Sequence, residues 1–178
     1  MTYDPQKHHR HALRLKNYDY SQPGSYFVTI CTWQRQSHFV SPELSETLIK
    51  TWKSLSNRFP TVTPDAFVVM PDHIHGILTV GERIKLARKL TLTDIISTYK
   101  SMTTVAWIRI KKSNDEPYTK HLWQERFYDH ILRDDRDLRR IREYILHNPL
   151  NSSLRMGVDI DDEAWEEMVR HYIDSDMR

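Results

Sequence analysis

Three observations predict an α+β fold, an antiparallel sheet with helices packed on one face. Four runs have strand chemistry, three stretches keep a helical apolar repeat, and they follow one another as strand, helix, strand, strand, helix, strand, helix. That order is the split βαβ, or ferredoxin-like, arrangement, which leaves the second face of the sheet free for a ligand. A chain of 178 residues, 39% hydrophobic and 28% charged, is long enough for one such globular domain with its own core.

The elements follow from local chemistry. After the turn residues Gln22-Pro23-Gly24-Ser25, the run Tyr26 to Trp33 is β-branched and aromatic, as in a buried strand. Ser41-Pro42-Glu43 supplies an N-cap, an N1 proline and a first-turn acid to a helix. Its apolar positions are Leu44, Leu48, Trp52, Leu55 and Phe59, and Pro60 stops it. Residues 65–70 and 73–80 read as the second and third strands, broken or bent at Pro71-Asp72. Thr93-Asp94 is the expected cap of a helix that carries Ile95, Ile96, Tyr99, Met102 and Ile110 inward and offers Lys100, Arg109, Lys111 and Lys112 on its polar side. Residues 126–132 alternate as a fourth strand, and Asp134 or Asp135 caps a last helix expected to end at Pro149.

Charge divides the chain unevenly. Residues 157–178 hold eight acids against two arginines, so residues 1–156 keep 24 basic and 16 acidic side chains, a net +8. The expected organisation is one domain over 1–156, opened by a basic arm of about 25 residues, and an acidic tail over 157–178. A body this basic suits a polyanion such as nucleic acid; a solvated surface with a counter-charged tail is the alternative. The single cysteine, Cys31, excludes an internal disulfide framework and a multi-cysteine zinc site, and reads as a small buried hydrophobe. No run reaches the ~18 to 20 apolar residues of a membrane span and no signal core opens the chain, so the expected setting is cytoplasmic, with no membrane contact.

Two H-x-H pairs occur. His9 and His11 lie in the basic arm and read as DNA-facing or solvated, whereas His73 and His75 lie in a predicted strand. Residues two apart on a strand share a face, so both imidazoles can converge on one cation; two hydrogen-bonded sheet histidines are the alternative. The last helix adds a stripe of Arg136, Arg140, Tyr144 and Asn148 beside the apolar stripe of Leu138, Ile141 and Ile145. Arginines four apart repel, and a phosphate between them relieves that repulsion. Tyr144 is then a phenol beside a phosphate site, needing nearby positive charge or a base to act as a nucleophile, and Asn148 offers an amide oxygen to a coordination shell. A half-buried helical tyrosine and a helix terminus are the plain readings of the same two residues.

Taken together, RLKNYDYSQPGSYFVTICT, FVVMPDHIHGIL and LWQERFYDHILRDDRDLRRIREYILHNPLN resemble the HUH single-strand DNA transposases with one catalytic tyrosine, specifically the REP-associated tyrosine transposases, also called IS200-like. The resemblance spans most of the chain. It implies a ferredoxin-like domain that binds imperfect DNA hairpins and cleaves and rejoins a neighbouring single strand through a 5′-phosphotyrosine. His73 and His75 become the metal ligands and Asn148 a third, with Mg2+ or Mn2+ as the cation. Tyr144, from Y-I-x-x-N-P, becomes the nucleophile. Bond energy is conserved in such a cycle, so no nucleotide cofactor is expected.

Arg136 and Arg140 would then hold flanking phosphates, while Arg10, Arg14 and Lys16 of the arm grip single-stranded or hairpin DNA. Tyr128 is a rival nucleophile, and His130, on the same strand face, lines the site or contacts DNA. Asp72 stands where the family commonly has asparagine, on a position expected to lie off the histidine face. A monomer or homodimer is expected. A non-catalytic hairpin binder and a metal-dependent phosphodiesterase that uses water are the competing readings.

Overall fold

In the computed structural model, described for residues 19–82 and 89–154 (the last six as backbone only), strand β1 spans Gly24–Cys31. It ends two residues before Trp33 because Trp33–Arg35 turns into a short 3-10 helix, with Gln34 and Arg35 at φ 54° and 55°. Helix α1, Pro42–Lys53, begins as its sequence dictates: the Ser41 side chain accepts from the Leu44 N–H, and Pro42 opens the first turn. A four-residue helix α2, Leu55–Arg58, follows before Pro60. Strands β2, Val62–Met70, and β3, His73–Val80, are joined by the two residues Pro71 and Asp72.

Helix α3 runs Leu92–Ser113. Its N-cap is Thr91, two residues before the expected cap at Thr93. Thr91 Oγ1 accepts from the Asp94 N–H while the Asp94 carboxylate accepts from the Thr91 N–H, a reciprocal capping box. Tyr99, Thr103 and Trp107 form its buried side with Ile95 and Ile96; Met102, expected inside, is exposed.

Strand β4 covers Tyr128–Leu132, shorter than the alternation predicts. The carbonyls of Gln124, Glu125 and Arg126 turn toward the Lys100 ammonium, at 2.9, 3.1 and 3.2 Å, instead of toward a neighbouring strand. Helix α4 spans Asp135–Leu154, capped by the Asp134 carboxylate on the Asp137 N–H. Pro149 does not end it. The proline removes one backbone donor, but its fixed φ is a helical value, and residues through Leu154 stay helical. The chain divides into two units after Asn148, and the contacts described below belong to the first.

The four strands form one antiparallel sheet in the order β2-β3-β1-β4, which is the split βαβ topology the sequence predicts. Alternation sorts its residues. Val28, Ile30, Ile74 and Leu78 join Leu44, Leu48 and Trp52 of α1 and Ile95, Ile96 and Tyr99 of α3 in the main core. The Trp52 ring stacks on Phe67 at 4.7 Å and lies over Gly76, where an added Cβ would overlap the indole and sit 3.0 Å from Phe67 Cδ2. The opposite face carries Phe27, Thr29, His73 and His75, and α4 brings Tyr144 onto it.

Candidate active site

Strand pairing builds the histidine pair. His73 lies opposite Cys31 and His75 opposite Thr29 on β1, with Met70 and Val68 of β2 on their other side. Both rings are buried, His75 fully. Their Nε2 atoms approach to 3.1 Å, and each Nδ1 is held from behind, His73 by Asp72 Oδ1 at 2.6 Å and His75 by Thr29 Oγ1 at 2.8 Å.

The ionised Asp72 can only accept, which gives the chain a direction. His73 donates from Nδ1 to Asp72, His75 donates from Nε2 to His73 Nε2, and the Thr29 hydroxyl donates to His75 Nδ1. Burial first, then the positive charge of Arg35, pushes the His75 pKa well below the usual imidazole range and keeps that ring neutral. For Asp72, burial raises the carboxyl pKa, but the His73 hydrogen bond and the charge of Arg35 outweigh it and hold the group below its ordinary value.

This donor set fits a divalent cation. Adjacent corners of an octahedron with bonds of about 2.1 Å lie roughly 3.0 Å apart, close to the Nε2 separation, and the Thr29 hydroxyl can accept as readily as donate once His75 Nε2 gives up its proton to a metal bond. Among the described residues no group of three or more His, Cys, Asp or Glu side chains can hold a metal ion. The imidazoles could therefore supply only part of a shell, which an amide or substrate and water oxygens would have to complete. Asn148 is the buried amide of α4, 6% exposed, and its Nδ2 has no hydrogen-bond partner among the described residues.

Tyr144 meets His75 directly. Its ring centroid is 5.6 Å from that of His75 and 6.1 Å from that of Phe27, both edge-on, and the residue is 9% exposed. Phe27 also stacks on His75 at 5.4 Å and meets Tyr128 edge-on at 6.4 Å. Phe27 was not singled out in the sequence, although its place in the strand alternation puts it on the histidine face. Tyr128 is half-buried on β4 and reaches the cluster through Phe27.

The charged groups are less free than the sequence suggests. Arg140 Nη2 donates to Asp137 Oδ1 at 3.2 Å, and Asp137 Oδ2 lies 3.2 Å from His130 Nε2, so His130 and Arg140 share one carboxylate. Arg136 is exposed. Arg10, Arg14 and Lys16 lie outside the described residues. Three groups had no signal of their own in the sequence. Arg142 clamps Asp65, which sits at the bulge of β2, with Nε 3.1 Å from both carboxylate oxygens. Arg35 Nε lies 3.1 Å from Asp72 Oδ2, and its Nη1 reaches the partly exposed Cys31 Sγ at 2.9 Å, so Cys31 is not the plain buried hydrophobe expected. Thr29 is the third.

A separate groove of ≈ 690 Å³ lies between the end of α2 and the first half of α3, lined by Arg58, Phe59, Lys89, Ser97 and Met102; none of the sequence-predicted site residues lines it. Among the described residues, no helix is long and apolar enough to cross a membrane.

An uncharacterized protein of Haemophilus influenzae is 32% identical over 161 residues, 80% of this chain and 89% of its own. The REP-associated tyrosine transposase of Escherichia coli is 28% identical over 135 residues, 74% of this chain and 69% of its own. A solved REP-associated tyrosine transposase bound to a REP hairpin has the same fold, with a TM-score of 0.57 at 24% identity over 78% of this chain and 74% of its own. The family model described as Transposase IS200 like matches residues 22–148, which hold the whole sheet, both histidines, Tyr144 and Asn148, and the chain belongs to that family.

Proposed function

We propose that the protein binds single-stranded DNA carrying a hairpin and cleaves and rejoins the strand through Tyr144, with a divalent cation held by His73, His75 and Asn148. The observation that carries this reading is the contact of Tyr144 with His75, on the sheet face where the two Nε2 atoms converge. The rival Tyr128 meets Phe27 edge-on on the same face, so the choice of Tyr144 rests on its place in Tyr144-Ile145-Leu146-His147-Asn148-Pro149, four residues before Asn148. The hairpin partner is supported by the solved relative, described as bound to a REP hairpin, and by the relative named REP-associated tyrosine transposase.

The chemistry is a phosphoryl exchange. The Tyr144 oxygen attacks the scissile phosphorus, the new O–P bond forms as the P–O3′ bond breaks, and the phenol proton ends on the departing 3′-oxygen. The reverse attack by a 3′-hydroxyl restores a phosphodiester and returns the proton to Tyr144. When bound, the cation supplies Lewis-acid stabilisation of charge on a non-bridging phosphate oxygen. Phe27 and His75 hold the Tyr144 ring, and Arg136 and Arg140 provide positive charge for flanking phosphates, Arg140 on a side chain already oriented by Asp137.

Labelled single-stranded hairpin DNA incubated with the protein and Mn2+ tests this. Wild type and Tyr128→Phe are expected to yield a protein-linked fragment on a denaturing gel, and Tyr144→Phe none. Cleavage without an adduct would favour attack by water, no cleavage a non-catalytic binder, and an adduct that survives Tyr144→Phe but not Tyr128→Phe would reassign the nucleophile.

A further inference from the structure

We infer that Asp72 is a positioning residue for His73, locked from both sides so that its carboxylate fixes the ring with Nδ1 protonated and Nε2 turned to the cation. The inference rests on the metal reading proposed above and assigns to it a residue outside the ligand set. Asp72 ends the two-residue connection between β2 and β3, where strand alternation lapses, and its carboxylate turns back onto the next residue.

The carboxylate divides its oxygens, Oδ1 to His73 Nδ1 at 2.6 Å and Oδ2 to Arg35 Nε at 3.1 Å. Its backbone is held as well. The Asp72 carbonyl accepts from the N–H of Thr32 at 2.8 Å and from its hydroxyl at 2.9 Å, and Thr32 is fully buried. Arg35 reaches Asp72 from a turn in which Gln34 and Arg35 both adopt left-handed backbone, an unfavourable choice for residues with a Cβ. Two such residues in succession, beside a salt bridge onto the partner of His73, mark strain retained at a functional site.

The chemistry has a direct consequence. A carboxylate on the far nitrogen of a ligating imidazole fixes its tautomer and raises its basicity, and loss of such a partner typically weakens metal binding by about 10- to 100-fold. An asparagine amide oxygen accepts the same hydrogen bond without the charge. Asp72→Asn is therefore expected to keep the orientation and bind more weakly, by several-fold.

Two measurements decide it. Imidazole 15N spectra of the metal-free protein are expected to show His73 as a single Nδ1–H tautomer in wild type and Asp72→Asn, and as a mixture in Asp72→Ala. Mn2+ titration followed by electron paramagnetic resonance is expected to rank affinity as wild type, then Asp72→Asn, then Asp72→Ala, the last down by about 10- to 100-fold. Wild-type affinity in Asp72→Ala together with an unchanged tautomer overturns the inference. If Asp72→Ala does not fold, wild-type affinity in Asp72→Asn does so. Absence of Mn2+ binding in the wild type would instead remove the metal reading, while the His73 tautomer would still report whether Asp72 orients the ring.

Discussion

Toward α1 and α3 the sheet presents Val28, Ile30, Ile74 and Leu78, fully buried among other apolar side chains; toward α4, one residue out of step on the same strands, it presents Phe27, Thr29, His73 and His75. Each histidine of the pair on the second face is buried with a partner behind it, Asp72 for His73 and Thr29 for His75. The two faces depend on each other through the pleat. A slip of one residue between β1 and β3 would turn the imidazoles into the Trp52 core and the core aliphatics toward α4, so the apolar face pins the register that pairs the histidines. Apolar packing is concentrated on one face and the proposed chemistry on the other, with a shared backbone between them.

Phe27 is the place to break that division, because it is an apolar residue on the chemical face and touches His75, Tyr144 and Tyr128. Phe27→Leu nearly conserves apolar volume, so its urea midpoint should correspond to a loss of no more than about 1.5 kcal/mol. Adduct formation should fall by about 10²-fold, since the ring that orients His75 and Tyr144 is gone and misplacement of that order costs as much. A large loss of stability with unchanged chemistry in the folded fraction would reduce Phe27 to core.

Gly76 poses the converse case. Its missing Cβ leaves room for Trp52, and Gly76→Ala forces the indole to move, at a cost of about 1–3 kcal/mol measured by urea unfolding. Adduct formation by the folded protein should fall less than in Phe27→Leu, even though the substitution adjoins His75 in sequence. A greater fall would show that the two faces are not separable.

The apolar side of this comparison was largely legible in the sequence. Alternation and helical repeats gave the strands and the core, and Ser41-Pro42 gave the start of α1 because capping is a local matter. The later helix boundaries were harder. Thr91 and Thr93 both precede Asp94, and only the reciprocal bonds single out Thr91; Pro149 is a stop signal that a helix can override at the loss of one backbone hydrogen bond. On the chemical face the histidine pair and Tyr144 were legible as residues, whereas what holds them was not. Asp72 lies in a turn where alternation gives no direction to a side chain. Arg35 arrives through left-handed backbone that its sequence does not announce, and Arg142 finds Asp65 across 77 positions of chain.

That last pair yields the smallest and most specific prediction. The Arg142–Asp65 bridge ties α4 to the bulge of β2, so part of the attachment of the chemical face is ionic where the other face is apolar. Burial raises the Asp65 carboxyl pKa, but the Arg142 guanidinium and the Ala66 N–H outweigh burial and leave it below the ordinary 3.8. A carboxyl depressed on folding contributes stability above its unfolded pKa and loses it as pH falls through the folded value, because the unfolded chain binds the proton first. The pair is partly exposed, so its contribution at neutral pH is at most about 1 kcal/mol. Urea unfolding of wild type and Asp65→Asn should therefore differ by that much near pH 7 and converge as the pH drops below about 3.8. A difference that persists into acid would mean that the Asp65 side chain acts through the shape of the bulge, and that α4 is held on its face without help from charge.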